Sequence, residues 1–129
     1  METLFDKFQI PDRYTIGGQD YTVRVKETAR DSDGDGVFGL HDPITNTITI
    51  AKKFHLTKDF DHTLTRDQVI NSFFHELFHS FNYMMNTEQD ETIAQSFANF
   101  MCEFLKTAEY DSGHAGEPSN ELRPFDQEY

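Results

Sequence analysis

The chain of 129 residues contains no tryptophan and a single cysteine, Cys102. One thiol cannot close an intramolecular disulfide, so a disulfide-stapled scaffold is excluded. The setting of Cys102 among Phe100, Met101, Phe104 and Leu105 predicts a buried core thiol, consistent with a reducing compartment. Positive charge is equally scarce. Eleven Lys and Arg face 23 Asp and Glu, a formal net charge of -12, which argues against phosphate-backbone binding and against nucleic acid as a partner. No stretch approaches the roughly 18 apolar residues a membrane span needs. The first 30 residues carry Glu2, Asp6, Lys7 and Asp12 and lack the apolar core of a secretory signal, so the expected location is cytoplasmic, with no membrane partner.

What the chain does have is phenylalanine, 13 of them, enough for a phenylalanine-rich core in the one domain that its length suits. Seven of the apolar positions, Val69, Ile70, Phe73, Phe74, Leu77, Phe78 and Phe81, fall in a run that predicts a helix from Thr65 to Met85, apolar over most of its circumference and therefore buried. A polar stripe runs through it: Ser72, His75, His79 and Asn82, spaced three or four apart. Burying these side chains together is costly unless they are hydrogen-bonded or bound to something. His75, Glu76 and His79 form an HExxH unit, in which both imidazoles lie one turn apart on one face and can reach a single zinc ion. Glu76 is then placed as general base toward a metal-held water.

A hydrolytic zinc site needs a third protein ligand and an open fourth position. After Asn86 and Thr87, which with Gln89 and Asp90 suggest capping boxes, a second helix is expected from about Glu88 to Thr107. Glu91 lies in its first turn, and Ala94 and Ala98 share its face, so the two helices can approach closely and carry the Glu91 carboxylate to the metal. Glu88, one turn earlier and nearer the frayed end, is the competitor. Tyr83, Tyr110, His62, His114 and Asn82 are all chemically able to stabilise an oxyanion, and the sequence does not choose among them.

The N-terminal half predicts strands. Tyr14 to Ile16 and Tyr21 to Glu27 around a Gly17-Gly18 turn suggest a hairpin, and Thr47 to Ala51 alternate likewise. The expected architecture is α+β, a small antiparallel sheet packed on two main helices. Asp31, Asp33, Asp35 and Asp42 match the spacing of a calcium loop, but no helix enters or leaves the segment, so a polar Gly-rich hairpin loop is the preferred reading. Composition shifts at residue 107. Residues 1–106 are expected to form the domain, and 107–129, acidic and poor in apolar residues, an irregular or disordered tail.

The HELFH of residues 75–79, followed by a Glu with small residues behind it, resembles the gluzincin class of zinc metallopeptidases. The wider layout is similar to small metallopeptidase-like proteins of bacteriophages and prophages, relatives of the ImmA/IrrE group. The matching pieces are Pro11, Ile16, Gly17 and Gly18, the Tyr21 to Val25 strand, the Gly39 to Asp42 turn, the Asn46 to Ile50 strand and the two helices, covering residues 10–106. One departure is the spacing of twelve from His79 to Glu91, shorter than in the larger gluzincins. The resemblance implies a zinc-dependent peptidase acting on a narrow protein target. It also implies an edge strand that pairs with extended substrate, a part expected of Thr47 to Ile50. A catalytically silent metal- or peptide-binding regulatory module and a structural zinc in an assembly accessory protein are the alternatives.

Overall fold

The computed structural model describes residues 2–57 and 60–109. A short helix α1 (Leu4–Lys7) precedes strands β1 (Arg13–Ile16), β2 (Gln19–Lys26), β3 (Ala29–Arg30), β4 (Gly36–Val37), β5 (Gly39–Asp42), β6 (Thr47–Ala51), β7 (Lys53–Thr57) and β8 (Phe60–Thr63). Helices α2 (Arg66–Met84) and α3 (Glu91–Thr107) follow. The α+β plan holds: a small, mostly antiparallel sheet packs on two main helices.

Four strands make the main sheet, in the order β1-β2-β6-β5. Gly17 and Gly18 adopt φ of 62° and 76°, the pair of left-handed residues that a two-residue type I′ turn requires, and this sets the β1/β2 register with Ile16 opposite Gln19. The central β2/β6 ladder is parallel. It can be so because the chain leaves β2 through the β3/β4 hairpin and comes back along β5, antiparallel to β6, before β6 begins.

This order corrects the expectation for Thr47 to Ile50. That strand is interior, hydrogen-bonded to β2 on one side and β5 on the other, and has no free backbone edge for a substrate. The reason lies in its burial: Ile48 and Ile50 are fully buried against the helices, and a strand with so apolar a face is best sheltered at the centre. Gly39 to Asp42, expected as a turn, is instead β5, the terminal strand, and the turn lies between Asp42 and Thr47.

Ile48 and Ile50 pack with Val23, Phe5, Ile70, Phe73, Phe74, Ala98 and Cys102 in one core. Phenylalanine contributes as expected, and Cys102 is a buried free thiol. Helix α2 starts at a capping box, Thr65 and Gln68 each satisfying the other's backbone N–H. It is less buried than its composition suggests, since Phe81 and Met84 near its C-terminus are partly exposed. Its end is a Schellman motif. Asn86 sits at φ 55° while its N–H donates to Tyr83 and that of Thr87 to Asn82. Asn86 and Thr87 are therefore consumed in ending α2 and do not cap α3, which begins three residues later than expected, with Asp90 as N-cap accepting from Ile93 N–H.

Asp31 accepts from the backbone N–H groups of Asp33 and Asp35, and the segment is the loop of the β3/β4 hairpin; Asp42 is turned to its own turn at Ile44 and Thr45. Helix α3 runs through Thr107, one residue past the expected domain limit. The tail reading beyond residue 109, with Tyr110 and His114, lies outside the described residues.

Helices α2 and α3 touch through Ala94 and Ala98, both with 0% exposure. Ala98→Leu should overpack this contact and lower stability by about 1–3 kcal/mol, read as a shift of the urea midpoint with unchanged m.

Candidate metal centre

The candidate metal-ligating side chains come from three helical positions. His75 and His79 project one turn apart from α2, and Glu91 is the first residue of α3. Glu91 Oε1 lies 2.7 Å from His75 Nε2 and 3.0 Å from His79 Nε2. Zn–N and Zn–O bonds of about 2.1 Å give a tetrahedral ligand edge of roughly 3.4 Å. The observed separations are about 0.4–0.7 Å shorter than that edge, so the three atoms would spread by that much around an ion.

The opposite ring nitrogens decide what these contacts mean. His75 Nδ1 is 3.0 Å from Gln95 Oε1, and His79 Nδ1 contacts Gln89 Oε1. Both amides are oriented by their other ends: Gln95 Nε2 donates to Asn71 Oδ1 and Asn99 Oδ1, and Gln89 Nε2 to the carbonyl of His79. The Gln oxygens therefore accept, each Nδ1 carries the proton, and each Nε2 of a neutral imidazole presents a lone pair to the Glu91 carboxylate. Acceptor facing acceptor at 2.7–3.0 Å is repulsive unless a cation is shared between them. A proton on the ring or a metal ion supplies it. Burial alone would lower the pKa of His79, but hydrogen bonds to Gln89 and Glu91 and the charges of Glu76 and Glu91 outweigh it and raise the pKa. Burial raises the Glu91 carboxyl, and its bonds to the two histidines more than reverse that, holding it below the usual range.

Glu76 is only 7% exposed, and one ligand atom from each of His75, Glu76 and His79 lies within 4.8 Å of the others. Burial pushes its carboxyl up to about 6, against the pull of His79 and His75 and with a further push from Glu91. Gly39 of β5 lies directly over it: a Cβ there would come within 2.9 Å of Glu76 Cγ and 3.2 Å of Thr49 O, so only glycine admits this approach of strand to helix. A cleft of about 960 Å³ opens beside these groups, bounded by β5 on one side and by α2 and α3 on the other.

Of the remaining sequence candidates, Glu88 is exposed in the connection and does not line the cleft, whereas Glu91 does. The polar stripe of α2 is divided. Ser72 donates to the Gln68 carbonyl and Asn82 Nδ2 to Thr87 Oγ1, leaving Asn82 Oδ1 buried without a partner, so neither serves the metal group. His62, on the β7/β8 hairpin, is not part of the cleft, while Tyr83 lines it. Sequence reasoning missed Gln89, Gln95 and His41. Gln95 follows Glu91 by four and shares its helical face, a signal that was available. His41 had none, because only strand pairing brings it to the cleft.

No family model, curated protein or solved structure matches the chain.

The raised pKa of Glu76 has a sign that can be tested. A carboxyl whose pKa is about 6 when folded and 4.5 when unfolded adds stability below pH 4.5, and this is lost as pH rises through 6. In the metal-free chain, Glu76→Gln should therefore stabilise the fold at pH 8 by about 2 kcal/mol, with the gain vanishing toward pH 4. Urea unfolding at the two pH values measures it; an equal effect at both would contradict a buried, ionised Glu76.

Proposed function

We propose that the chain is a zinc-dependent peptidase of the HExxH kind, resembling the gluzincins and the small phage and prophage metallopeptidase-like proteins. The observation that carries this reading is the convergence of two imidazole lone pairs on one carboxylate oxygen, each imidazole held from behind by a glutamine. His75, His79 and Glu91 fit a zinc ion in ligand type and number, and a spread of about half an ångström brings them to its spacing.

His75, His79 and Glu91 would hold the zinc, which would keep net positive charge there and so would acidify a water and polarise a carbonyl. The chain's own groups do the rest. Glu76, desolvated beneath Gly39 with a pKa near 6, is mostly ionised at neutral pH yet basic enough to accept the water's proton. It can return that proton to the departing amine. Gln89 and Gln95 fix the tautomer and tilt of the two rings, and the Asn71-Asn99 pair fixes Gln95.

Three protein ligands beside an open cleft favour hydrolysis over a structural zinc, which is closed by four. An intact, desolvated base at Glu76 favours an enzyme over a silent binding module. The substrate is an extended peptide. Strand β5, terminal in its sheet and lining the cleft, offers main-chain groups for pairing in place of β6.

Metal analysis after dialysis should find one zinc per chain, lost from a His75→Ala/His79→Ala double variant and weakened in Glu91→Gln. Glu88→Gln should bind zinc as the parent does; loss of zinc there, with Glu91→Gln unaffected, would move the third ligand one turn. Digestion of a peptide library followed by mass spectrometry tests turnover. Glu76→Gln should keep zinc and lose about 10²-fold to 10⁴-fold of cleavage rate.

A further inference from the structure

His41 is the one ionisable side chain that β5 brings to the cleft wall. The β5/β6 register explains its orientation. Gly39 is opposite Ile50 and His41 opposite Ile48, and paired residues project to the same side of a sheet. Since Ile48 and Ile50 are buried against the helices, Gly39 and His41 face them too, the first over Glu76 and the second further along the strand. His41 is near enough to His79 for that ring's charge to act on it, and its own ring meets Tyr83 edge-on at 6.0 Å.

Its Nε2 is buried and has no hydrogen-bond partner. Buried without a partner, this nitrogen is a costly polar atom in either tautomer, and when it carries the proton it is an orphaned donor. A group in the cleft that accepted a hydrogen bond from it would recover that cost. His41 lines the same cleft as His75, Glu76, His79 and Glu91, so a substrate held there comes within its reach.

We propose that His41 is a catalytic residue of this chain, its Nε2–H donating to the peptide carbonyl oxygen as that oxygen becomes negative. The proposal rests on the peptidase reading above. As the water oxygen bonds to the carbonyl carbon, its proton passes to Glu76 and the C=O π pair moves onto the carbonyl oxygen, where His41 Nε2–H meets it. When the C–N bond breaks, that pair re-forms the carbonyl and Glu76 returns the proton to the leaving amine, giving an acid and an amine. Nε2 is covered in this structure, so the bond requires a side-chain rotation of His41 that turns it into the cleft.

The test uses the zinc-loaded full chain and an N-phosphorylated dipeptide, whose tetrahedral anion imitates the oxygen in question. Binding is measured by calorimetry and zinc by metal analysis. His41→Phe should retain zinc and bind the dipeptide about 10-fold to 100-fold more weakly, the worth of a hydrogen bond to a charged group. His41→Gln, which keeps an N–H donor, should lie between it and the parent. Unchanged affinity in both variants overturns the proposal, as does a loss confined to Tyr83→Phe, which would make Tyr83 the donor. Loss of zinc from both His41 variants also overturns it, by making His41 a fourth ligand. If the parent holds zinc but does not bind the dipeptide, the peptidase reading fails and takes the proposal with it.

Discussion

The contact between α2 and α3 at Ala94 and Ala98 is the constraint on which the rest depends. Two side chains with no exposed surface let the helix backbones come close, and that closeness turns Glu91, one turn before Ala94, into a neighbour of both histidines. It also brings Gln95 against His75 and links Asn71 of α2 to Asn99 of α3. A bulkier residue at either alanine would push the helices apart and draw Glu91 away from both histidines.

The second support of the site is the sheet. Burial of Ile48 and Ile50 makes β6 a central strand, which leaves β5 as the border of the cleft. Gly39 then lets that border settle onto Glu76, removing water from the carboxylate and raising its pKa. The basicity of Glu76 is thus a product of strand placement. Its ionisation at neutral pH works against folding.

The polar groups around the metal position form a layered arrangement. The inner atoms, two Nε2 and one Oε1, are acceptors that repel one another without a cation between them. The outer amides have their own partners and hold the rings in that unfavourable posture. Such strain has a simple physical consequence: a positive charge between the three atoms, whether proton or cation, relieves their repulsion.

Much of this was legible in the residues. Helix α2 followed from its apolar period, and the β1/β2 hairpin from a Gly-Gly pair, because each depends on interactions within a few residues. The spacing of His75 and His79 placed them on one face for the same reason, and small residues at 94 and 98 marked a close helix contact. The start of α3 was misplaced because Asn86 and Thr87 can either cap a helix or end one, and the preceding turn decides. The centre of the sheet was out of reach. Whether Thr47–Ala51 is an edge or an interior strand depends on which distant strands pair with it, and alternation of side chains is the same in both. His41 entered the cleft by that pairing alone. Local chemistry along the chain thus determined the helix that carries the HExxH unit. Only tertiary structure, through backbone pairing between residues far apart in sequence, decided which strand walls the cleft and which histidine looks into it.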